Sequence, residues 1–228
     1  MKKQDFLFVF VLIVIFLPFF VSDTIYGWYK SFNAAHGMIM SFLKFGILAT
    51  LGEMLGLRIG VGVYNRKGFG VLPRAVVWGF LGMGINMAMI VFSKGVPQFM
   101  EYMGMKHASV IINGEFCLDK LWIALAISVA MNTIFAPVFM TFHKITDTHI
   151  LECGGSLRSL AISIPMTRII THLNWDAQWN FVLKKTIPFF WYPAHTVTFL
   201  LPGEVRVLFA AILGIILGVL LAVAARMK

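Results

Sequence analysis

Residues 38 to 57 read MIMSFLKFGILATLGEMLGL, an apolar run that contains only two charged side chains, Lys44 and Glu53. A helix needs about 20 residues to cross the hydrocarbon core of a bilayer, and this run has that length. The whole chain has the same character, because 59% of its residues are hydrophobic and only 13% are charged. A soluble domain carries about 25% charged residues. We therefore predict an all-α, polytopic membrane helix bundle whose main partner is the lipid bilayer.

Five further apolar runs bring the expected number of transmembrane helices to about six. These runs cover residues 5–22, 75–92, 121–142, 186–201 and 207–225. We expect the first to be retained, since no small-x-small cleavage site follows it. The run at 186–201 is short and holds prolines that remove backbone hydrogen bonds. It is plausible in a membrane only if much of it faces the protein interior or a water-filled path.

The net charge of +9 is best explained by membrane topology. With six alternating spans, 13 of the 19 lysines and arginines fall on the side that holds both termini. Cytoplasmic loops carry such an excess, so both termini are predicted to be cytoplasmic. The sequence contains no long basic run, which argues against a nucleic-acid partner. Its short Lys-Lys start, without an Arg- and Ser-rich transit segment, favours a bacterial inner membrane.

Residues 157–185 precede the short fifth run and show apolar residues at helical spacing. Trp175 and Trp179 lie one turn apart, close to Lys184 and Lys185. This composition is typical of a helix that lies in the membrane interface. We expect a cytoplasmic interfacial helix here, with a cytoplasmic extension of the fifth helix as the alternative.

Glu53 is the most informative single residue. A carboxylate near the bilayer centre costs roughly 2.5–3.5 kcal/mol on insertion scales, so it must face a partner or water. Arg58 and Arg74 are the candidate partners. Two interpretations stand: an ion pair that holds two helices together, or a charge that lines or gates a pore. Next to it, Gly52 and Gly56 share one helix face, a spacing that lets helix backbones approach closely.

The sequence offers no sign of catalytic or metal chemistry. It lacks the Walker, HExxH and Gly-x-Ser-x-Gly patterns, so we expect neither an enzyme nor a cofactor. The stretch HKITDTHILEC, residues 143–153, has a His and Cys spacing that fits no standard metal site, and we expect a solvated loop. Cys117 and Cys153 are predicted to lie on opposite sides of the membrane, unpaired.

Several short motifs, taken in order, resemble those of the Mpv-seventeen and peroxisomal membrane protein family. The resemblance covers residues 38–228 and leaves residues 1–37, a transmembrane helix and a loop, outside it. Gly52-Glu53 is similar to the family's Gly-Asp, Arg74 to an Arg that opens its next span, and Ala136-Pro137 to its Ala-Pro. The C-terminal signature is matched by five residues: Trp191, Pro193, Phe199, Pro202 and Arg206. His195 and Thr198 stand where the family has Gln and Asn.

The resemblance implies a small membrane protein that forms a weakly selective pore for small solutes of unknown identity. Under this hypothesis five residues line or gate the pore: Glu53, Arg74, Asn132, His195 and Thr198. A pore lined by His195 would respond to pH, because the unperturbed pKa of histidine is near 6.5. Two alternatives remain, a scaffold without transport and an ion-coupled transporter. Assembly into a homo-oligomer is compatible with each of them.

Overall fold

The computed structural model describes residues 3–226, with side chains up to residue 219. This described part is 83% helical and contains no β-strand, which confirms the all-α prediction. The helices, in chain order, are α1 (Lys3–Val21), α2 (Asp23–Ala35), α3 (Gly37–Val61), α4 (Val71–Tyr102), α5 (Ala108–Ile111), α6 (Leu118–Ile134), α7 (Ala136–Glu152), α8 (Met166–His172), α9 (Trp175–Ala177), a π-helix (Gln178–Trp191), α10 (Tyr192–Leu200) and α11 (Gly203–Arg226).

The chain divides into two compact units, and the first comprises Met1–Met40. Helix α1 buries none of its side chains, as expected of an apolar helix that faces lipid. The segment that follows is not the expected loop but helix α2. Its N-cap is Ser22, whose hydroxyl accepts a hydrogen bond from the amide of Ile25 at 3.3 Å. The Phe19 and Tyr29 rings, 5.2 Å apart and edge to face, join the two helices.

In the second unit, Ser41–Lys228, glycines bring α3 and α4 together. A Cβ atom built on Gly79 would come within 2.4 Å of the Phe42 ring, and one on Gly82 within 2.4 Å of Cβ of Phe45. A similar contact joins α3 to α11, where a Cβ on Gly52 would meet Ile215 at 2.9 Å. These positions leave no room for a side chain, so the small residues permit the close helix packing expected of them.

Helices α6 and α7 form one bent pair, with an angle of 45° between them. The bend falls at Phe135, two residues before Pro137 in the first turn of α7. Proline has no N–H to donate and its ring clashes with the preceding turn, which is a common cause of such kinks. The predicted span at 121–142 is therefore one bent segment rather than a straight helix.

The prediction of six transmembrane helices is higher than the described residues support. Within them, three helices are long and apolar enough to cross a membrane, namely α1, α3 and α4, and the bent pair α6–α7 raises the number to four. The expected fifth span is divided between the π-helix and α10, and it contains Pro188 and Pro193. The expected sixth span, 207–225, falls on α11, but its residues 220–225 lie outside the part whose side chains are described.

The segment 157–185 does not form one amphipathic helix. It begins with a 3-10 turn at Leu157–Leu160 and continues with the short helix α8. From residue 175 onward the chain is helical without a break to residue 200, through α9, the π-helix and α10. We name residues 175–200 the mixed helix. Its first half corresponds to the alternative expectation, an extension of the fifth helix.

Helix α10 packs against α6 through buried polar contacts. The Ser128 hydroxyl donates to the carbonyl of Tyr192 at 2.8 Å, and Ser128 is fully buried. Thr198 and Phe199 are buried as well. Arg206 donates to the carbonyls of Leu201 and Phe199, at 2.9 and 3.1 Å. Arg206, in the first turn of α11, thus provides hydrogen bonds to backbone carbonyls at the end of α10.

Candidate functional site

Five side chains from α3, α4 and α7 form a network of charges and hydrogen bonds around Glu53. One carboxylate oxygen of Glu53 lies 2.5 Å from Nη1 of Arg74. The other accepts from the Trp78 indole at 3.0 Å and lies 3.1 Å from Nε2 of His143. Arg74 also forms an ion pair with Asp147. We call these five residues the Glu53 cluster.

The cluster is well shielded from solvent, so its charges need one another. The exposed fraction of the side chain is 7% for Arg74, 20% for Glu53 and 16% for Asp147. Removing one charge from such a pair leaves its partner buried and uncompensated, which is strongly unfavourable. Of the two candidate arginines, Arg74 makes the ion pair. Arg58 donates to the carbonyl of Gly62 at 3.1 Å.

The loop before α4 holds Arg74 in place. The Nε atom of Arg74 donates to the carbonyl of Phe69 at 2.6 Å, and the Arg74 guanidinium lies 4.4 Å from the centre of the Phe69 ring. Gly70 adopts a positive φ of 73°, which favours glycine. A Cβ on Gly70 would meet Cα of Gly155 at 2.8 Å. The backbone can therefore turn at the start of α4 while it packs against the segment after α7. This turn places Arg74 beside Glu53 and Asp147.

A cavity of about 340 Å³ adjoins the cluster. Helices α3, α4, α6, α7 and α11 and the mixed helix all contribute to its wall. Most of the lining side chains are apolar, among them Ala49, Phe139 and Leu217. The side chains of the lining with polar atoms comprise Glu53, Trp78, Asn132, His143, Lys144, Gln178, Thr186, Trp191 and His195. An apolar cavity with a few convergent polar groups is the usual form of a small-molecule site.

The winding of the mixed helix determines which of its side chains reach the cavity. The lining residues Gln178, Val182, Thr186, Trp191 and His195 are four or five positions apart. A π-helix hydrogen-bonds each residue to the fifth one along, and therefore stacks residues at this spacing. In an α-helix of about 100° per residue, Gln178 and Trp191 would lie about 140° apart around the axis. The π winding thus places them on one face, which we call the π face.

Two nitrogen atoms of the π face are buried and unpaired. Among the described residues, Nε2 of Gln178 and Nε1 of Trp191 have no hydrogen-bond partner. Gln178 is only 6% exposed. Burying a donor without an acceptor costs about 1–3 kcal/mol. The contrast with the Glu53 cluster, where both carboxylate oxygens are paired, is clear.

The structure brings together three of the five residues expected to line a pore. Glu53, Asn132 and His195 line the cavity. Arg74 does not; it lies behind Glu53 as its ion-pair partner. Thr198 is fully buried and donates to the Ala194 carbonyl at 2.9 Å, away from the cavity.

The residues to which the family motifs assign structural roles also fall into two groups, those that line the cavity and those that do not. Gly52 and Trp191 line the cavity. The others lie at bends, caps and packing contacts: Pro137, Pro193, Phe199, Pro202 and Arg206.

The sequence-based interpretation of residues 143–153 as a solvated loop was wrong. Residues 143–152 form the second half of α7, with Cys153 as its C-cap, and this half supplies His143 and Asp147 to the cluster. His149 is buried, with Nε2 at 3.1 Å from the Ser159 carbonyl. A signal was present, because residues 143 and 147 are four apart and share one helix face. Gln178 and Thr186 were also missed, although their separation of eight residues places them on one broad face even at an α-helical period. Only the addition of Trp191 to that face requires the π winding.

Comparison with known proteins adds no relative: no family model, no curated protein and no solved structure matches the chain.

Proposed function

We propose that the protein is a membrane protein that passes small solutes through the cavity beside Glu53. The observation that carries this proposal is the convergence of Glu53, Asn132 and His195, from three different helical segments, on one cavity wall. Polar residues within a membrane-embedded bundle are costly and often mark a solute path. The family resemblance, which also implies a weakly selective pore, is consistent with this function.

We further propose that both termini face the cytoplasm, in a bacterial inner membrane. The excess of basic residues on that side supports this orientation. The contact between Gly70 and Gly155 is also consistent with it, because it places the α3–α4 loop and the segment after α7 at the same end of the bundle.

The test is single-channel recording of the purified protein in planar bilayers. Gly214 lines the cavity, and a Cβ atom there would have nothing within 4 Å. A Gly214→Leu variant should therefore fold normally, fill part of the cavity and abolish the conductance steps. Gly95→Leu in α4, where a Cβ is equally unhindered, is the matched control and should conduct like the wild type.

A charge variant examines the same path by a second route. Glu53→Gln should change the size or ion selectivity of the steps, since it removes a charge from the wall. Glu115→Gln lies on an exposed segment before α6 and should leave them unchanged. Well-folded protein that stays silent over a range of voltage and pH would contradict the pore. The Glu53 cluster would then serve only to hold the helices together in a scaffold protein.

Proton-coupled transport is a second candidate, favoured by one specific contact. Glu53 and His143 both line the cavity and lie 3.1 Å apart, and each can exchange protons. In sealed liposomes, solute uptake that requires an imposed pH gradient, and that is lost in His143→Gln, would favour a transporter over a pore. Solute uptake that is the same with and without the pH gradient would exclude proton-coupled transport.

A further inference from the structure

The unpaired amide donor of Gln178 indicates which class of molecule the cavity accepts. Gln178 lines the wall and is only 6% exposed, and its Nε2 has no hydrogen-bond partner among the described residues. It gains most from a ligand that brings a hydrogen-bond acceptor, because an unpaired buried donor is unfavourable. Trp191 also lines the wall but is less buried, and its large ring offers an apolar surface to the rest of the ligand. Lys144, in the middle of α7, also lines the cavity. Its Nζ lies 3.7 Å from Asp147 and its side chain is half-exposed, so its positive charge can also reach a ligand.

A cationic ligand would find no such partner. The carboxylate oxygens of Glu53 are occupied by Arg74, Trp78 and His143. Glu53 is also the one acidic residue in the wall among the described side chains. A cation would have to displace Arg74 from an ion pair that is itself shielded from solvent, which would leave the guanidinium uncompensated.

The rest of the wall is apolar and requires an apolar ligand body. A cavity of about 340 Å³ lies at the small end of ligand sites, which range over roughly 300–1,000 Å³. It corresponds to roughly eleven water volumes of about 30 Å³ each. A chain of about eight carbons with a carboxylate head is of this order of size.

We infer that the cavity binds a medium-chain carboxylic acid, with its head at Gln178 and Lys144 and its tail toward Trp191. The inference rests on the proposed function, since it names the class of solute. At neutral pH the carboxylate is ionised and accepts from both the amide and the ammonium group. The aliphatic tail contacts Ala49, Phe139 and Val182 along the wall.

The test uses 8-bromooctanoate and the protein in lipid nanodiscs, with tryptophan fluorescence as the readout. Bromine at the tail should quench Trp191 in a saturable manner. Because Trp78 also lines the cavity, the saturable part should fall markedly in Trp191→Phe rather than vanish. It should be unchanged in Trp122→Phe, a residue that is 60% exposed on α6. Undiminished saturable quenching in Trp191→Phe would overturn the inference.

Two further arms examine the head group. Octanoate should displace the brominated probe, and octylammonium should not. Gln178→Leu should weaken binding about tenfold or more, as expected for loss of a hydrogen bond to a charged group. Lys144→Met, at a half-exposed side chain, should weaken it roughly threefold and provides a second variant if the first does not fold. Equal displacement by octylammonium, or unchanged binding in both variants, would contradict the assignment.

A second brominated probe tests the orientation of the ligand in the cavity. If the head lies at Gln178, 2-bromooctanoate carries its bromine far from Trp191 and should quench less than the 8-bromo isomer. Stronger quenching by the 2-bromo isomer would overturn the proposed orientation. Saturable binding without conductance would refute the pore and leave this inference standing. Conductance without saturable binding would support the pore and refute the carboxylic acid as its ligand.

Discussion

The Glu53 cluster and the π face line the same cavity but differ in how their polar groups are satisfied. In the cluster, both oxygens of Glu53 and the guanidinium of Arg74 have partners within the protein. On the π face, the described residues leave the side-chain nitrogens of Gln178 and Trp191 unpaired. A satisfied network stabilises and fixes the arrangement of helices, whereas an unsatisfied one gains from binding. The comparison separates the residues that hold the bundle together from those available to a solute.

The largest expected effect is on the cluster. Arg74→Met leaves Glu53 and Asp147 buried without their cation and should lower the free energy of unfolding by about 3–5 kcal/mol. Unfolding in mixed micelles of SDS and a mild detergent measures this change. Arg168→Met breaks the exposed pair with Glu152 and should cost only about 0–1 kcal/mol. Similar losses in the two variants would mean that the cluster does not stabilise the bundle.

The packing that brings α3 against α4, and so Glu53 against Arg74, should respond next. Gly82→Val places side-chain atoms against Phe45 and should cost about 1–3 kcal/mol. Gly84→Val provides the control two residues along the same helix, since a Cβ there has nothing within 4 Å. The same unfolding assay applies. Equal stability of the two valine variants would show that α3 and α4 are not in close contact at Gly82.

The π face should respond with the opposite sign. Gln178→Leu removes an unpaired buried donor and should raise the free energy of unfolding by about 1 kcal/mol in the absence of solute. Gln98→Leu, at an exposed position of α4, should change it by less than about 0.5 kcal/mol. A destabilised Gln178→Leu protein would place Gln178 with the cluster residues, as part of the structural network. The distinction drawn between the two regions would then fail.

The smallest expected effect concerns the contact that fixes the mixed helix against α6. Ser128→Ala removes the hydrogen bond to the Tyr192 carbonyl and should cost about 0.6 kcal/mol, the average found for such bonds between membrane helices. Ser93→Ala is the control, because the Ser93 hydroxyl donates at 3.3 Å to the carbonyl of Ile90 in its own helix. If Ser128→Ala lowers the free energy of unfolding no more than Ser93→Ala does, apolar packing alone determines the position of α10.

The parts of the fold that the sequence predicted are those with a strong, local signal. Long apolar runs predicted α1, α3 and α4. The cost of a buried carboxylate identified Glu53 and narrowed its ion-pair partner to Arg58 or Arg74. The bent pair α6–α7 was predicted as one span, but its continuation to residue 152 was not. The polar residues of HKITDTHILEC resemble a loop in composition, although they complete a helix whose inner face carries His143 and Asp147.

The site was harder to predict because it depends on helix winding. Sequence patterns are interpreted with a period of 3.6 residues, and with that period Gln178 and Trp191 lie on different faces. The π-helix changes the period over 14 residues and unites them. Backbone hydrogen bonds that shift from the fourth to the fifth residue leave no mark in composition. The fifth apolar run was predicted as a short span interrupted by prolines, and its π winding was not predicted.

The bent pair α6–α7 carries its own pair of chemical markers. Cys117 caps the start of α6 and Cys153 the end of α7, and both thiols are free. If the pair crosses the bilayer, the two thiols lie in different compartments. A maleimide that cannot permeate the membrane, added to sealed right-side-out vesicles, would then label one cysteine, and inverted vesicles would expose the other. Native labelling chemistry can thus establish the orientation of this segment without any engineered residue.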